Sequence, residues 1–274
     1  MRIDSHQHFW RYSAEEYPWI QAGWPIQRNF LPDDLAPELK ACGLDGCIAV
    51  QARQSLEETR WLLELADQSP IVRGVVGWVD LCHPAAEEQL ARFAVHPKLV
   101  GVRHVVQDEA DDRFMCRDDF QRGIGLLAHF GLTYDILIYP RQLSAAIELT
   151  RAFPGQAFVL DHLAKPLIRD GVLEPWSAQI HELAKSPNVM CKLSGLVTEG
   201  RWPGWSREDF QPYFDVAWSA FGPDRLMFGS DWPVALLAAT YQQVFELVND
   251  YLQSFGEQAQ AKVLGLNAAK FYEL

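Results

Sequence analysis

Residues 46–79 read GCIAVQARQSLEETRWLLELADQSPIVRGVVGWV, and the pattern within them decides the fold. Gly46–Gln51 is a short, almost continuously apolar run. A polar turn follows, and Ser55 then opens an amphipathic stretch with Glu58 three residues on, the spacing of a capping box. Trp61, Leu62 and Leu65 fall on one face of that helix. A turn at Pro70 leads into a second apolar run, Val72–Val79. Strands without polar alternation, joined through a helix, belong to a parallel sheet covered on both faces.

The same unit recurs in both directions along the chain. The apolar runs are Arg2–His8, Gly46–Gln51, Val72–Val79, Leu99–Val105, Leu132–Ile138, Ala157–His162, Val189–Ser194 and Arg225–Ser230. Helical patterns fill gaps between them: PAAEEQLARFAV from Pro84, Asp118–Phe130, Arg141–Phe153, Glu174–Lys185 and Ser206–Phe221. Eight units in 274 residues predict one closed (β/α)8 barrel spanning 1–274, a fold that needs about 250 residues. An open doubly wound sheet would show fewer strands and a glycine-rich first turn, which this chain lacks. Two strand-to-helix connections are long, Phe9–Pro32 and Gly195–Trp205. In such a barrel they lie on the C-terminal face, where active sites form.

Composition narrows the partners. With 36 acidic against 24 basic side chains, the net charge of −12 argues against nucleic acid or an anionic membrane surface as a partner. The N-terminus MRIDSHQHFW carries no signal-peptide pattern, and no apolar run approaches the ~20 residues of a membrane span. Cys42, Cys47, Cys82, Cys116 and Cys191 show no CxxC spacing, which fits reduced thiols and a cytoplasmic protein.

Three strand ends carry residues suited to chemistry. In Asp4-Ser5-His6-Gln7-His8, alternation along a strand projects His6 and His8 to the same side, about 7 Å apart. Asp231 in MFGSDWPV follows the last apolar run, where a helix cap is its structural alternative. Asp161-His162 in FVLDHLAKP ends the sixth run, and there the alternative is a capping Asp beside a His satisfied in the core. Gln51, Arg53, Trp78, Asp80, Arg103, His104, Tyr134, Asp135, Lys192 and Ser194 occupy other strand ends, as substrate contacts or as ion pairs of the barrel wall. Six of the ten tryptophans fall on the expected active face: Trp10, Trp19, Trp24, Trp202, Trp205 and Trp232. Indole presents a flat apolar surface to the C–H face of a sugar, with one N–H for a hydroxyl.

With these motifs in place the chain resembles a known family. IDSHQHFW, LDHLAKP, CKLSGL…GPDRLMFGSDWPV and the closing GLNAAKFY look like the amidohydrolase-related lactonases, and HQHFWRY…YPWI with GSDWPV is most similar to the L-fuconolactonase type. The resemblance covers essentially the whole chain. It implies a sugar-lactone hydrolase in which Asp231 is the general base and His6, His8 and His162 polarise the lactone carbonyl, bind a metal, or both. Arg103, Gln51, Arg53, Trp24 and Trp232 are the expected substrate contacts. The chain departs from the binuclear members, which carry a carboxylated lysine at the fourth strand end and a second mid-barrel histidine; here Arg103-His104 stands at that strand end. One Zn²⁺ on His6, His8 and Asp231 is therefore expected, with a metal-free reaction as its alternative and no organic cofactor. A metal-dependent decarboxylase of a small unsaturated acid and a non-catalytic sugar or lactone binder are the rival functions.

Overall fold

The computed structural model describes all 274 residues. Eight parallel strands follow one another around a single sheet: β1 (Ile3–Gln7), β2 (Gly46–Val50), β3 (Val72–Gly77), β4 (Leu99–His104), β5 (Thr133–Ile136), β6 (Phe158–Leu160), β7 (Val189–Leu193) and β8 (Leu226–Phe228). Beyond the strand ends, His8 N donates to the Trp232 carbonyl at 2.7 Å and Asp231 N to the His6 carbonyl at 2.8 Å. These bonds bring the last strand back to the first, making the expected (β/α)8 barrel.

Helices form the outer layer. The predicted patterns correspond to α2 (Leu56–Gln68), α3 (Ala86–Ala94), α4 (Asp118–Leu127), α5 (Leu143–Ala152), α6 (Trp176–Leu183) and α7 (Arg207–Phe221). Four more were not singled out in the sequence: α1 (Pro32–Ala41), α8 (Tyr241–Leu252), α9 (Glu257–Ala261) and α10 (Asn267–Phe271). The capping box at Ser55 is only half made. Ser55 Oγ accepts from Glu58 N at 3.2 Å, but the Glu58 carboxylate turns away to take the amides of Ala52 and Arg53 at 3.0 and 2.7 Å. It thereby fixes the turn that follows β2. None of the helices is long and apolar enough to cross a membrane, and the five cysteines are free thiols.

The barrel interior divides into two layers. Ile3, Ile48, Val76, Val100, Val159 and Met227 pack an apolar floor, joined by Tyr272 from the C-terminal segment. Above it the inward positions are charged. Two-residue alternation sends Val159 and Asp161 inward together, and likewise Met190 and Lys192. Lys192, with no exposed surface, pairs with Asp135 and lies 3.0 Å from Asp161. Arg103 reaches Asp161 at 3.1 Å. Tyr272 donates its hydroxyl to Asp135 at 3.1 Å from below. Two cations and two carboxylates thus cancel where water cannot screen them, the condition under which buried charge is tolerated. Burial still pushes the Asp135 carboxyl up to about 6 despite Lys192.

Removing one partner should expose that balance. Lys192→Met is expected to cost about 3–5 kcal/mol, because it leaves a carboxylate buried without its counterion. Adding Asp135→Asn should restore part of the loss. Urea denaturation of both variants checks this, and a double variant no more stable than Lys192→Met would show that Lys192 does not balance Asp135.

Candidate active site

At the C-terminal face three imidazoles converge on one carboxylate oxygen. Oδ1 of Asp231 lies 3.3 Å from Nε2 of His8 and 3.8 Å from Nε2 of both His6 and His162. His6 sits within β1 and is wholly buried, while His8 stands just past its end, also buried but lining a cavity on this face. The register between β1 and β2 shifts between Asp4 and Gln7, and the two rings meet edge to face with centroids 5.0 Å apart. Asp231 follows β8 in a left-handed conformation (φ 57°), held by its own amide on His6. The turn Val234–Leu237 beyond it has no side-chain cap, so the carboxylate is not spent on a helix end.

His162 arrives by an irregular route. The sixth run was expected to continue through it, but β6 stops at Leu160. His162, Leu163, Ala164 and Lys165 then all adopt positive φ, between 51 and 58°. Each costs about 1–2 kcal/mol in an L-residue, so surrounding contacts must hold the turn. Lys165 N donates to the His162 carbonyl at 2.7 Å, and Trp176 Nε1 donates to that of Leu163 at 2.7 Å. Residues three apart share a face in so tight a turn. Leu163 and Ala164 are buried, and His162 and Lys165 both face the open cavity. Gly195 (φ 64°) packs against the His162 ring, where any Cβ would collide with it.

Each histidine is oriented through its other nitrogen. His8 Nδ1 lies 2.8 Å from the Val50 carbonyl, an acceptor only, so it must donate there. His6 Nδ1 lies 3.2 Å from Asp161, and His162 Nδ1 lies 2.8 Å from Ser194 Oγ. Burial pushes His6 well below its ordinary value and His162 down to about 4, so both are neutral near pH 7. Burial raises Asp231, but His162, His8 and His6 outweigh it and hold the carboxyl below the ordinary range. Nε2 of His6 and Nε2 of His8 thus stand beside an ionised carboxylate, and the cationic Arg103 already reaches the first of them. His6, His8 and Asp231 have their donor atoms within 4.8 Å of one another, and two imidazole nitrogens with one carboxylate oxygen suit zinc. A second trio of His6, Asp161 and His162 is as compact, but Lys192 and Arg103 already engage Asp161.

Arg103 brings positive charge of its own. Its guanidinium donates to His6 Nε2 at 3.2 Å, to Asp161 at 3.1 Å and to the Gln51 carbonyl and side chain, while its Nε has no partner. Arg103 lines the cavity; Gln51 stands behind it, fully buried, as its support. Arg53 also lines the cavity, paired with Glu16 at 2.6 Å across the first long loop.

The cavity holds about 850 Å³ above His8, His162 and Asp231. Of the six tryptophans placed on this face, Trp10, Trp19 and Trp24 line it. Trp202 packs edge to face on Trp24, with centroids 6.4 Å apart, and Trp205 donates to the Ala238 carbonyl. Trp232 corrects the sequence expectation of a substrate contact: it lies beneath the cavity, wedged edge-on against Phe30 at 5.0 Å and Phe9 at 6.3 Å. The cavity wall also carries Lys165, Glu199, Tyr139, Asp108 and Glu109, none of them singled out in the sequence. A Lys three residues after His162 reaches this wall only through a left-handed turn that no glycine announces.

Residues 3–274 match the Amidohydrolase family. The chain belongs to it. This amidohydrolase is 45% identical to an L-fucono-1,5-lactonase of Burkholderia multivorans and 39% identical to one of Burkholderia ambifaria, in each case over 100% of this chain and 96% of the relative. It also superposes on the crystal structure of an amidohydrolase from Burkholderia multivorans with bound Zn, at a TM-score of 0.96 and 45% identity, covering 100% and 99% of the two chains.

If Asp161 holds His6 in the ligating tautomer, Asp161→Asn should weaken Zn²⁺ binding about 10- to 100-fold. Calorimetric titration of chelator-treated protein reads this directly. Affinity equal to the parent's would show that His6 is oriented without Asp161.

Proposed function

We propose that this amidohydrolase opens a sugar 1,5-lactone, of the L-fucono-1,5-lactone kind, to its aldonic acid. What carries the reading is the convergence of His6, His8 and His162 on Asp231 at the base of a roomy cavity, in a chain so similar to two L-fucono-1,5-lactonases. Water beside Asp231 loses a proton to its carboxylate as the oxygen attacks the lactone carbonyl. The tetrahedral oxyanion that forms is stabilised by donors already in place, with Arg103 contributing a fixed positive charge. The ring C–O bond then breaks, and the leaving alkoxide takes up the proton held by Asp231. The products are a hydroxyl and a carboxylic acid, which becomes the carboxylate by releasing its proton to solvent. His6, His8 and Asp231 would hold a zinc ion, which when bound supplies a more acidic water and polarises the carbonyl. Trp10, Trp19 and Trp24 offer apolar faces to the sugar ring, and Arg53 offers donors to its hydroxyls.

A pH-indicator screen across sugar lactones, with and without chelator, tests the reaction and its need for metal together. Release of carbon dioxide from an unsaturated acid, without lactone opening, would replace hydrolysis by decarboxylation. Asp231→Asn is expected to keep a native circular dichroism spectrum and lose about 10²–10⁴ in kcat; a fall below about tenfold would remove Asp231 from the role of base. Gly195→Ala should fold yet lose about 10² in kcat/KM, because its Cβ displaces the His162 ring. Steady-state kinetics at unchanged spectrum decide it, and wild-type kcat/KM would mean that the exact placement of His162 does not matter.

A further inference from the structure

Two opposite charges in the cavity wall have no partner. Lys165 is carried there by the left-handed turn after β6, and Glu199 by the connection after β7. The directed contact of the Lys165 ammonium is with the face of Tyr139, 5.4 Å from the ring centroid; it makes neither hydrogen bond nor ion pair. The Glu199 side chain accepts no hydrogen bond either, although burial pushes its carboxyl up and the charge of Lys165 draws it back. The two groups sense one another through the cavity without touching. Both charges face the open cavity, where water completes them and a ligand with matching donor and acceptor groups can take its place.

We propose that Lys165 and Glu199 form a hydroxyl-reading subsite for a polyhydroxylated ring held above Asp231. The ammonium donates to a ring hydroxyl oxygen, and that hydroxyl, or its neighbour, donates to the carboxylate. A hydroxyl is both donor and acceptor, so it satisfies a split ion pair as a simple anion or cation does not. The strained turn then has a use: it sets Lys165 on the same face as His162, so ring recognition and the reacting carbonyl share one rigid support. The assignment rests on the lactonase reading and adds to it the groups that discriminate a sugar from a bare ester.

The test compares L-fucono-1,5-lactone with δ-valerolactone, which has the same ester ring and no hydroxyls. In Lys165→Met and in Glu199→Gln, the ratio of kcat/KM for the first substrate over the second should fall roughly ten- to a hundredfold, the worth of one hydrogen bond to a charged group. Both rates come from one preparation, so a partly unfolded variant leaves the ratio unaffected. A fall smaller than about fivefold in either variant overturns the subsite. So does a wild-type enzyme that opens the two lactones equally well, while leaving the lactonase reading intact. A wild type that opens neither sinks the lactonase reading, and the subsite with it.

Discussion

Asp4 fastens the end of the chain to its beginning. Its buried carboxylate accepts from Ser230 N at 2.9 Å, Ser230 Oγ at 2.6 Å, Tyr241 Oη at 2.9 Å and His6 N at 3.1 Å. Four donors on one side chain join β1, the residues after β8 and the start of α8. Every distance between the histidine pair and Asp231 depends on that junction, because the two lie on strands that meet only when the barrel closes. The junction is itself strained electrostatically: burial pushes Asp4 up to about 6 in spite of its donors. A raised acid is favoured in its protonated form. Its contribution to stability is therefore greatest below the ordinary carboxyl range and declines as pH rises through about 6.

From this fastening the site is built downwards as well as upwards. Tyr272 touches Asp135, which pairs with Lys192; Lys192 meets Asp161, and Asp161 holds His6. One polar column thus runs from the Tyr272 hydroxyl, at the top of the apolar floor, to the reactive face. That column has alternating sign, so no layer is left with an uncancelled charge. Its upper end is where alternation within β6 and β7 hands over to the loops, and there the backbone departs most from regular geometry.

The fold was legible in the sequence because eight apolar runs with helical spacers admit one ordinary solution. His6, His8 and Asp231 were legible as candidates because each falls at the C-terminal end of a strand. His162 was read as a strand terminus, yet it sits on a left-handed turn, and four consecutive non-glycine residues give no sign of positive φ. For the same reason nothing marked Lys165. Trp232, expected at the substrate, is instead packed against Phe30 and Phe9, because the chain leaves β8 at Phe228 and turns left-handed at Asp231 just before it. Asp161 was singled out with a cap as its alternative, and its engagement with His6, Lys192 and Arg103 required the register of three strands. The Glu58 carboxylate takes the amides of Ala52 and Arg53, while the Ser55 amide donates to the Arg53 carbonyl.

A lactone is neutral and the acid made from it is an anion, so the cavity meets two different charges in one turnover. Its wall sets Glu16, Asp108, Glu109 and Glu199 against Arg53, Arg103 and Lys165, so carboxylates outnumber cations there, on a chain whose net charge is −12. Such a field acts weakly on the incoming ring and repels the outgoing carboxylate. Under the proposed reaction the negative wall is an exit device: it leaves entry unhindered, lowers the residence time of the product, and keeps the accumulated acid outside from competing for the site.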